Sequence, residues 1–351
     1  MSQCVTINTY HGPWEDLARF VQRVWTHDYA GRMTFPGWTG EYLQWQLGEP
    51  PERHNLLGAF VDDTLAGVLL GTDRKMRTPV GGLAASQWSW LSVDPQYRGM
   101  GIARMLDEER VRRQRDQDGE LIVSYRYVGS RHSQAERPTA QTRFKKFHAK
   151  LGFWARILDP DRFAQWHYNT FEGQLARWAR GLMPRIPLSA ERPIRPATPD
   201  DLAPCVELLR TCSSAMSLSI DWDVDSLRQQ LFGSPLSQSL VMRDQDRIIG
   251  LINYHQLPFH ARTVENVAVI DILAFLPQSH RSMITLLQAT LAQMRDQGVI
   301  LALKLRSGDT PAWPLLRTGF VPQPADSYLV LQWLREPVEL SRRSPMRLLW
   351  R

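Results

Sequence analysis

The stretch Val93-Asp94-Pro95-Gln96-Tyr97-Arg98-Gly99-Met100-Gly101-Ile102-Ala103 decides the reading of this chain. An apolar run from Trp88 to Pro95 leads into it and reads as a strand stopped by proline. Arg104, Met105 and Leu106 carry it on as a helix. A loop with two glycines thus feeds straight into a helix N-terminus. Glycine lets main chain approach a ligand without Cβ obstruction and adopts positive φ freely. The unpaired N–H groups and positive end of the helix then suit a phosphate. Taken alone, the spacing also fits a plain turn.

Working outward, the same order of landmarks appears twice. Pro13-Trp14-Glu15-Asp16-Leu17-Ala18 opens an amphipathic helix, as Pro199-Asp200-Asp201-Leu202-Ala203 does later. Proline and acids in a first turn complement the helix dipole. Leu56 to Val61 and Leu65 to Leu70 alternate as a hairpin around Asp62-Asp63-Thr64; Leu240 to Met242 and Ile248 to Ile252 do so around Asp244-Gln245-Asp246. Strands Trp88 to Pro95 and Val267 to Pro277 follow, each leading to a helix that stops at a glycine, Gly119 or Gly298. Apolar strands come next (Leu121 to Tyr125, Val299 to Leu305), and each half is expected to hold one more helix, ending at Gly152-Phe153 or Gly319-Phe320, before a closing β segment. The expected fold class is therefore α/β: two tandem copies, each a mixed central sheet flanked by helices, with a strand–helix–strand crossover at its centre. Domains are expected at residues 1–182 and 200–336. A proline-rich linker at 183–199 joins them, and a basic tail occupies 337–351.

Composition narrows the class. The 351 residues carry a net charge of +6, and only five of the 42 basic residues are lysines. That charge suits a phosphorylated or acidic partner and is too diffuse for nucleic acid. No apolar run reaches membrane-helix length, so no integral membrane contact is expected. The N-terminus lacks the features of an export signal. Cys4, Cys205 and Cys212 form no disulfide framework or zinc motif, so no metal is expected and a cytoplasmic location is.

The decisive stretch resembles the acyl-CoA-binding signature of the GCN5-related N-acetyltransferases (GNAT), whose pattern Gln/Arg-x-x-Gly-x-Gly/Ala is matched by Gln96, Gly99 and Gly101. The order of elements in both halves is similar to that family. The resemblance implies an acyl-CoA co-substrate, acetyl-CoA by default, and an amine acceptor. It also implies a donor site made of Leu91, Val93, Gln96, Tyr97, Arg98, Gly99, Met100, Gly101, Ile102 and Ala103. Main-chain N–H groups from Arg98 to Ala103 would hold the diphosphate, pantetheine would lie between two splayed strands, and an N–H near Val93 would polarise the thioester. In the second copy Arg281 and Met283 replace the two glycines, so that copy is read as having no donor site.

Amine acyl transfer needs a proton for the departing thiolate and a base for the amine. Where the family often has a tyrosine acid, five residues before the phenylalanine of Gly-Phe, this chain has His148, on what reads as a helix; acid and plain surface histidine stay open. The strand Ser86 to Ser92 has no acid, which leaves the base among Asp73, Glu136, Tyr125 and a water chain. Trp88 and Trp90 alternate with Ser89 and are expected on one face, as core or as pocket wall. The long polar link from Tyr125 to Gln141 reads as a lid. Arg143, Lys145 and Lys146 offer either a contact to the CoA 3′-phosphate or a solvated face.

The two-copy layout is similar to N-myristoyltransferases, mycothiol synthases and Fem-type aminoacyltransferases, and the stretch from Phe35 to Trp45 resembles the entrance segment of the first group. An acyl-CoA-dependent N-acyltransferase is the leading reading. The alternatives are an inactive acyl-CoA-binding sensor or scaffold, and a transferase using longer acyl chains or carrier proteins. The basic tail reads either as an interfacial contact or as a docked terminus.

Overall fold

A computed structural model describes residues 4–48, 52–128, 145–169, 171, 173–174, 177, 184, 194–276, 280–341 and 344–351. Glu136 and most of the link after Tyr127 lie outside them, as does most of the proline-rich segment.

The first half runs β1 (Val5–Thr9), α1 (Trp14–Tyr29), β2 (Phe35–Pro36), α2 (Gly40–Leu47), β3 (Leu56–Val61), β4 (Thr64–Thr78), β5 (Gly81–Val93), α3 (Ile102–Asp116), β6 (Leu121–Tyr127), β7 (Lys145–Leu151), β8 (Phe153–Ile157) and α4 (Pro160–Trp166). The second runs β9 (Ile194–Pro196), α5 (Leu202–Ser213), β10 (Leu218–Ile220), α6 (Val224–Phe232), β11 (Ser237–Asp244), β12 (Arg247–His260), β13 (Val264–Phe275), α7 (His280–Asp296), β14 (Leu301–Leu305), α8 (Ala312–Arg317), β15 (Val321–Pro322), β16 (Ser327–Trp333) and β17 (Met346–Arg347). The β3–β4 turn has positive φ at Asp62 and Asp63, the geometry that matches strand twist in a two-residue hairpin.

These strands build two mixed sheets, ordered β1-β3-β4-β5-β6-β16-β7 and β15-β8-β14-β13-β12-β11-β9. Each holds one parallel pair joined by a helix, β5–α3–β6 and β13–α7–β14, so the duplication read from the sequence is visible in the topology. The closing strands are exchanged. β16 inserts between β6 and β7 of the first sheet, and β8 between β15 and β14 of the second. A cut along the chain therefore does not separate the two sheets. The chain crosses from β7 to β8 through Gly152, where a Cβ would sit 2.7 Å from the Pro324 carbonyl oxygen.

Apolar side chains form three layers. Leu57, Leu106 and Ile122 join the first sheet to α3; Ile252, Leu287 and Met294 join the second to α7; and a larger cluster, from Trp14 to Trp350, fills the space between the sheets.

Three expectations are corrected, and of the two readings of the basic tail the docked terminus holds. The helix expected around His148 is the strand β7, although α8 does precede Gly319-Phe320 as expected. Lys145 to Leu151 pairs with the exchanged β16, and that distant partner overrides the local helical spacing. Trp88 and Trp90 point to opposite faces, Trp88 into the α3 layer and Trp90 into the inter-sheet core. Between Leu70↔Ser89 and Val68↔Ser92 two residues of β5 oppose one of β4, and Trp90 takes φ 56° in that bulge. The proline-rich segment is not linker throughout, because Ile194–Pro196 pairs with β11 at the edge of the second sheet. The basic tail docks: β17 pairs with β10, and Leu348 to Arg351 are buried.

Candidate active site

Asp94 ends β5 and accepts a hydrogen bond from the Gln96 N–H (3.0 Å), capping a single 3-10 turn, Pro95–Tyr97. The chain then passes Gly99 at φ 89° and Gly101 at φ 78°, and α3 begins at Ile102. A Cβ built on either glycine meets no atom within 4 Å, so packing does not demand glycine there. Left-handed backbone does, and the space above it is open. No side chain caps α3 and no acid lies in its first turn. Its N-terminus is thus electropositive, with N–H groups available to an anion.

Two ion pairs hold this loop against α1. Arg98 donates to Asp28 (2.8 Å) and to the Val93 carbonyl, and Arg23 pairs with the buried Asp94 (2.6 Å). The Arg98 side chain therefore shapes the loop, leaving its main chain to face outward. Between α1 and the loop opens a cleft of about 720 Å³. Leu91, Val93, Tyr97, Arg98, Gly99, Gly101, Ile102 and Ala103 line it; Gln96 and Met100, also expected at the donor site, do not. The sequence reading missed the opposite wall, formed by Trp25, Asp28 and Tyr29 of α1 and by Tyr127. Helical spacing marked α1 as amphipathic but carried no sign that it lies across the loop.

At the other end of the cleft β5 and β6 part. Their parallel pairing covers only Ala85↔Leu121 to Trp88↔Ser124. Beyond it β5 carries the bulge at Trp90 and Leu91, and no further pairing with β6 follows. The cleft therefore runs from the uncapped N-terminus of α3 to the point where the β5–β6 pairing ends.

The proton-transfer candidates are scattered. Tyr125 is the first β6 residue past the last β5 pair; its hydroxyl donates to the Leu349 carbonyl (2.8 Å), and burial raises its pKa. His148 is buried in β7, at a bulge opposite Leu329 and Val330, and is not among the cleft residues. Asp73 lies in β4 opposite Ser86 of β5, bound to His54 (2.9 Å) and Asn55 (2.8 Å), and lines a separate hollow of about 360 Å³.

A second polar constellation lies between the sheets. Asp271 of β13 accepts from Arg351 Nη1 (2.7 Å), Gln230 Nε2 (3.0 Å) and His255 Nδ1 (2.7 Å). Burial would raise the Asp271 pKa, but Arg351 and His255 outweigh it and hold the carboxyl well below the usual range. Burial lowers the pKa of His255, so the imidazole is neutral, its Nδ1–H donating to the Asp271 carboxylate. Arg351 also reaches the first sheet, its carbonyl accepting from Ser89 Oγ (2.9 Å). No sequence motif announces this cluster, because its members come from three distant segments.

In the second copy α7 already begins at His280, so Arg281 to Met283, which replace the glycine loop, are wound into helix, and Met283 is buried. The nearby hollow is lined by three acids, Glu207, Asp244 and Asp246, against one arginine, Arg247, a net negative wall that disfavours an anion. Among the described residues no helix is long and apolar enough to cross a membrane.

Residues 11–126 match the family model described as "Acetyltransferase (GNAT) domain". No protein of curated function matches the sequence. The fold is similar to that of Saccharomyces cerevisiae N-myristoyltransferase with bound myristoyl-CoA, with TM-score 0.78 and 13% identity over 99% of this chain and 89% of that one. GCN5-related N-acetyltransferases from Anabaena variabilis and Kribbella flavida are also similar. Their TM-scores are 0.57 and 0.52 at 13% and 14% identity, over 95% and 94% of this chain and 73% and 70% of theirs. At these identities the likeness to solved structures is one of fold. Residues 11–126 thus match a GNAT acetyltransferase domain, within a two-sheet α/β chain whose fold is similar to that of N-myristoyltransferase.

Proposed function

We propose that the protein is an acyl-CoA-dependent N-acyltransferase working by direct attack, with the donor held in the first copy. One observation carries the reading: a single cleft joins an uncapped helix N-terminus, reached through two left-handed glycines, to the place where β5 and β6 separate. The diphosphate would lie on the main chain of Arg98 to Ala103, and pantetheine would extend toward Leu91. A β5 N–H beyond the last β6 pair would polarise the thioester carbonyl, a contribution typically worth about 3 kcal/mol of barrier. The amine nitrogen bonds to the carbonyl carbon, the C–S bond breaks, the amine gives up a proton, and the CoA thiolate gains one. Tyr125, the first β6 residue past the last β5 pair, is taken as the group that moves the proton; neither it nor His148 lines the cleft itself.

A binding protein without chemistry is favoured by one observation, that the Tyr125 hydroxyl is already engaged by Leu349. Incubation with radiolabelled acetyl-CoA and a panel of amines separates the two readings. Transfer to an amine with stoichiometric thiol release is expected, and Tyr125→Phe is expected to lower turnover about 100-fold while CoA affinity stays the same. Tight CoA binding with no transfer to any amine would favour the binding protein.

A further inference from the structure

We infer that the donor site takes acyl groups of only a few carbons, because the Trp25 indole walls off its acyl end; this rests on the donor reading just given. With the diphosphate on the loop before α3, the thioester would point toward the splayed strands, where Leu91 of β5 and Tyr127 of β6 line the cleft together with Trp25. A long chain would have to continue past Trp25, and the space beyond is filled. Trp25 packs edge-on against Trp38 (centroids 5.4 Å apart, interplanar angle 87°) and against Tyr127 (6.3 Å, 79°). Trp38 in turn packs edge-on against Trp90 (5.4 Å, 83°). Rings at such separations are in contact and leave no channel for a methylene chain.

Trp25 is also fixed in place. Its Nε1–H donates to Ser92 Oγ (3.1 Å), whose hydroxyl donates to the Trp90 carbonyl (3.1 Å). The wall is thereby pinned to the β5 bulge that shapes the thioester site. A gate swinging on free rotamers would lack that bond. Since α1 supplies the wall while β5 and α3 supply the cradle, acyl length is set by a different element from CoA recognition.

Calorimetric titration of the full chain with CoA and with acetyl-, butyryl-, octanoyl- and myristoyl-CoA tests this. In the wild type, affinity is expected to level off by butyryl-CoA. In Trp25→Ala each further methylene that enters the opened space should tighten binding about fourfold, so octanoyl-CoA gains most. Trp25→Leu makes a smaller opening should the alanine variant fail to fold, and Trp25→Phe should keep the wild-type profile. Wild-type affinity that climbs steadily to myristoyl-CoA would overturn the inference. So would a folded, CoA-binding Trp25→Ala or Trp25→Leu protein with an unchanged profile. If the wild type binds neither CoA nor any ester, the donor reading itself falls, and this inference with it.

Discussion

The double substitution Gly99→Asp with Gly101→Asp is expected to lower CoA affinity at least 100-fold while leaving the protein folded. Both glycines have left-handed backbone, and a Cβ at either would meet no protein atom within 4 Å. The new side chains therefore disturb little of the fold. Their cost is the backbone preference, roughly 1–2 kcal/mol each for an L-residue and less for aspartate, which tolerates this region better than most. Toward a diphosphate the effect is large: two carboxylates stand in the space above uncapped N–H groups, and like charges at such distances repel strongly. Calorimetric titration with CoA and near-UV circular dichroism check both halves of the expectation. Retained affinity would show that the ligand lies elsewhere, and lost tertiary signal would show that the loop matters to folding.

Asp271→Asn is expected to lower stability by about 3–5 kcal/mol, the usual consequence of removing one partner from a buried ion pair. Asp271 and Arg351 side chains are 0% and 1% exposed, so no water replaces the lost charge. The exposed Lys75–Asp223 pair, screened by water, should shift the unfolding midpoint far less when broken. The damage should spread, because the segment ending at Arg351 ties the sheets together. Leu349 accepts hydrogen bonds from Gln87 and Tyr125 of the first sheet, while Arg351 reaches Gln46 of α2 and Gln230 of α6. A pH dependence follows with a definite sign. The pKa of His255 is lowered in the folded state, so between that value and about 6.5 the unfolded chain binds more protons. The stability it contributes is complete above about pH 6.5 and declines as pH falls through that window, and His255→Gln should flatten the decline. Asp271, also lowered, adds a loss that begins as pH falls through the ordinary aspartate range and continues below it. Urea unfolding at a series of pH values would show both effects, and a wild-type profile that stays flat from pH 7 to 5 would contradict the assignment of a neutral buried His255.

Local features were legible in the sequence, and features made by distant partners were not. The loop from Val93 to Ala103, the crossover helix after it and the hairpin at Asp62-Asp63 are fixed by glycine, proline and aspartate acting on their own backbone. All three appear where their residues place them. The duplication was legible because it is a regularity of spacing. The exchange of β8 and β16 was not, since Phe153 and Leu329 would look the same in either sheet. His148 was misplaced for the same reason: its strand exists through pairing with β16. The opposed tryptophans show a subtler limit. Alternation puts Trp88 and Trp90 on one face only while the ladder stays regular, and the extra residue opposite β4 reverses it. Ion pairs such as Asp28–Arg98 and Asp271–Arg351 link residues far apart in the chain, and no spacing rule reaches them.

A crystal structure of the protein with coenzyme A tests the donor site most directly. The diphosphate should accept hydrogen bonds from main-chain N–H groups between Arg98 and Ala103, with the thiol end lying where β5 and β6 diverge, beside Trp25 and Leu91. A ligand bound at any other place, or a loop left empty at saturating coenzyme, would contradict it.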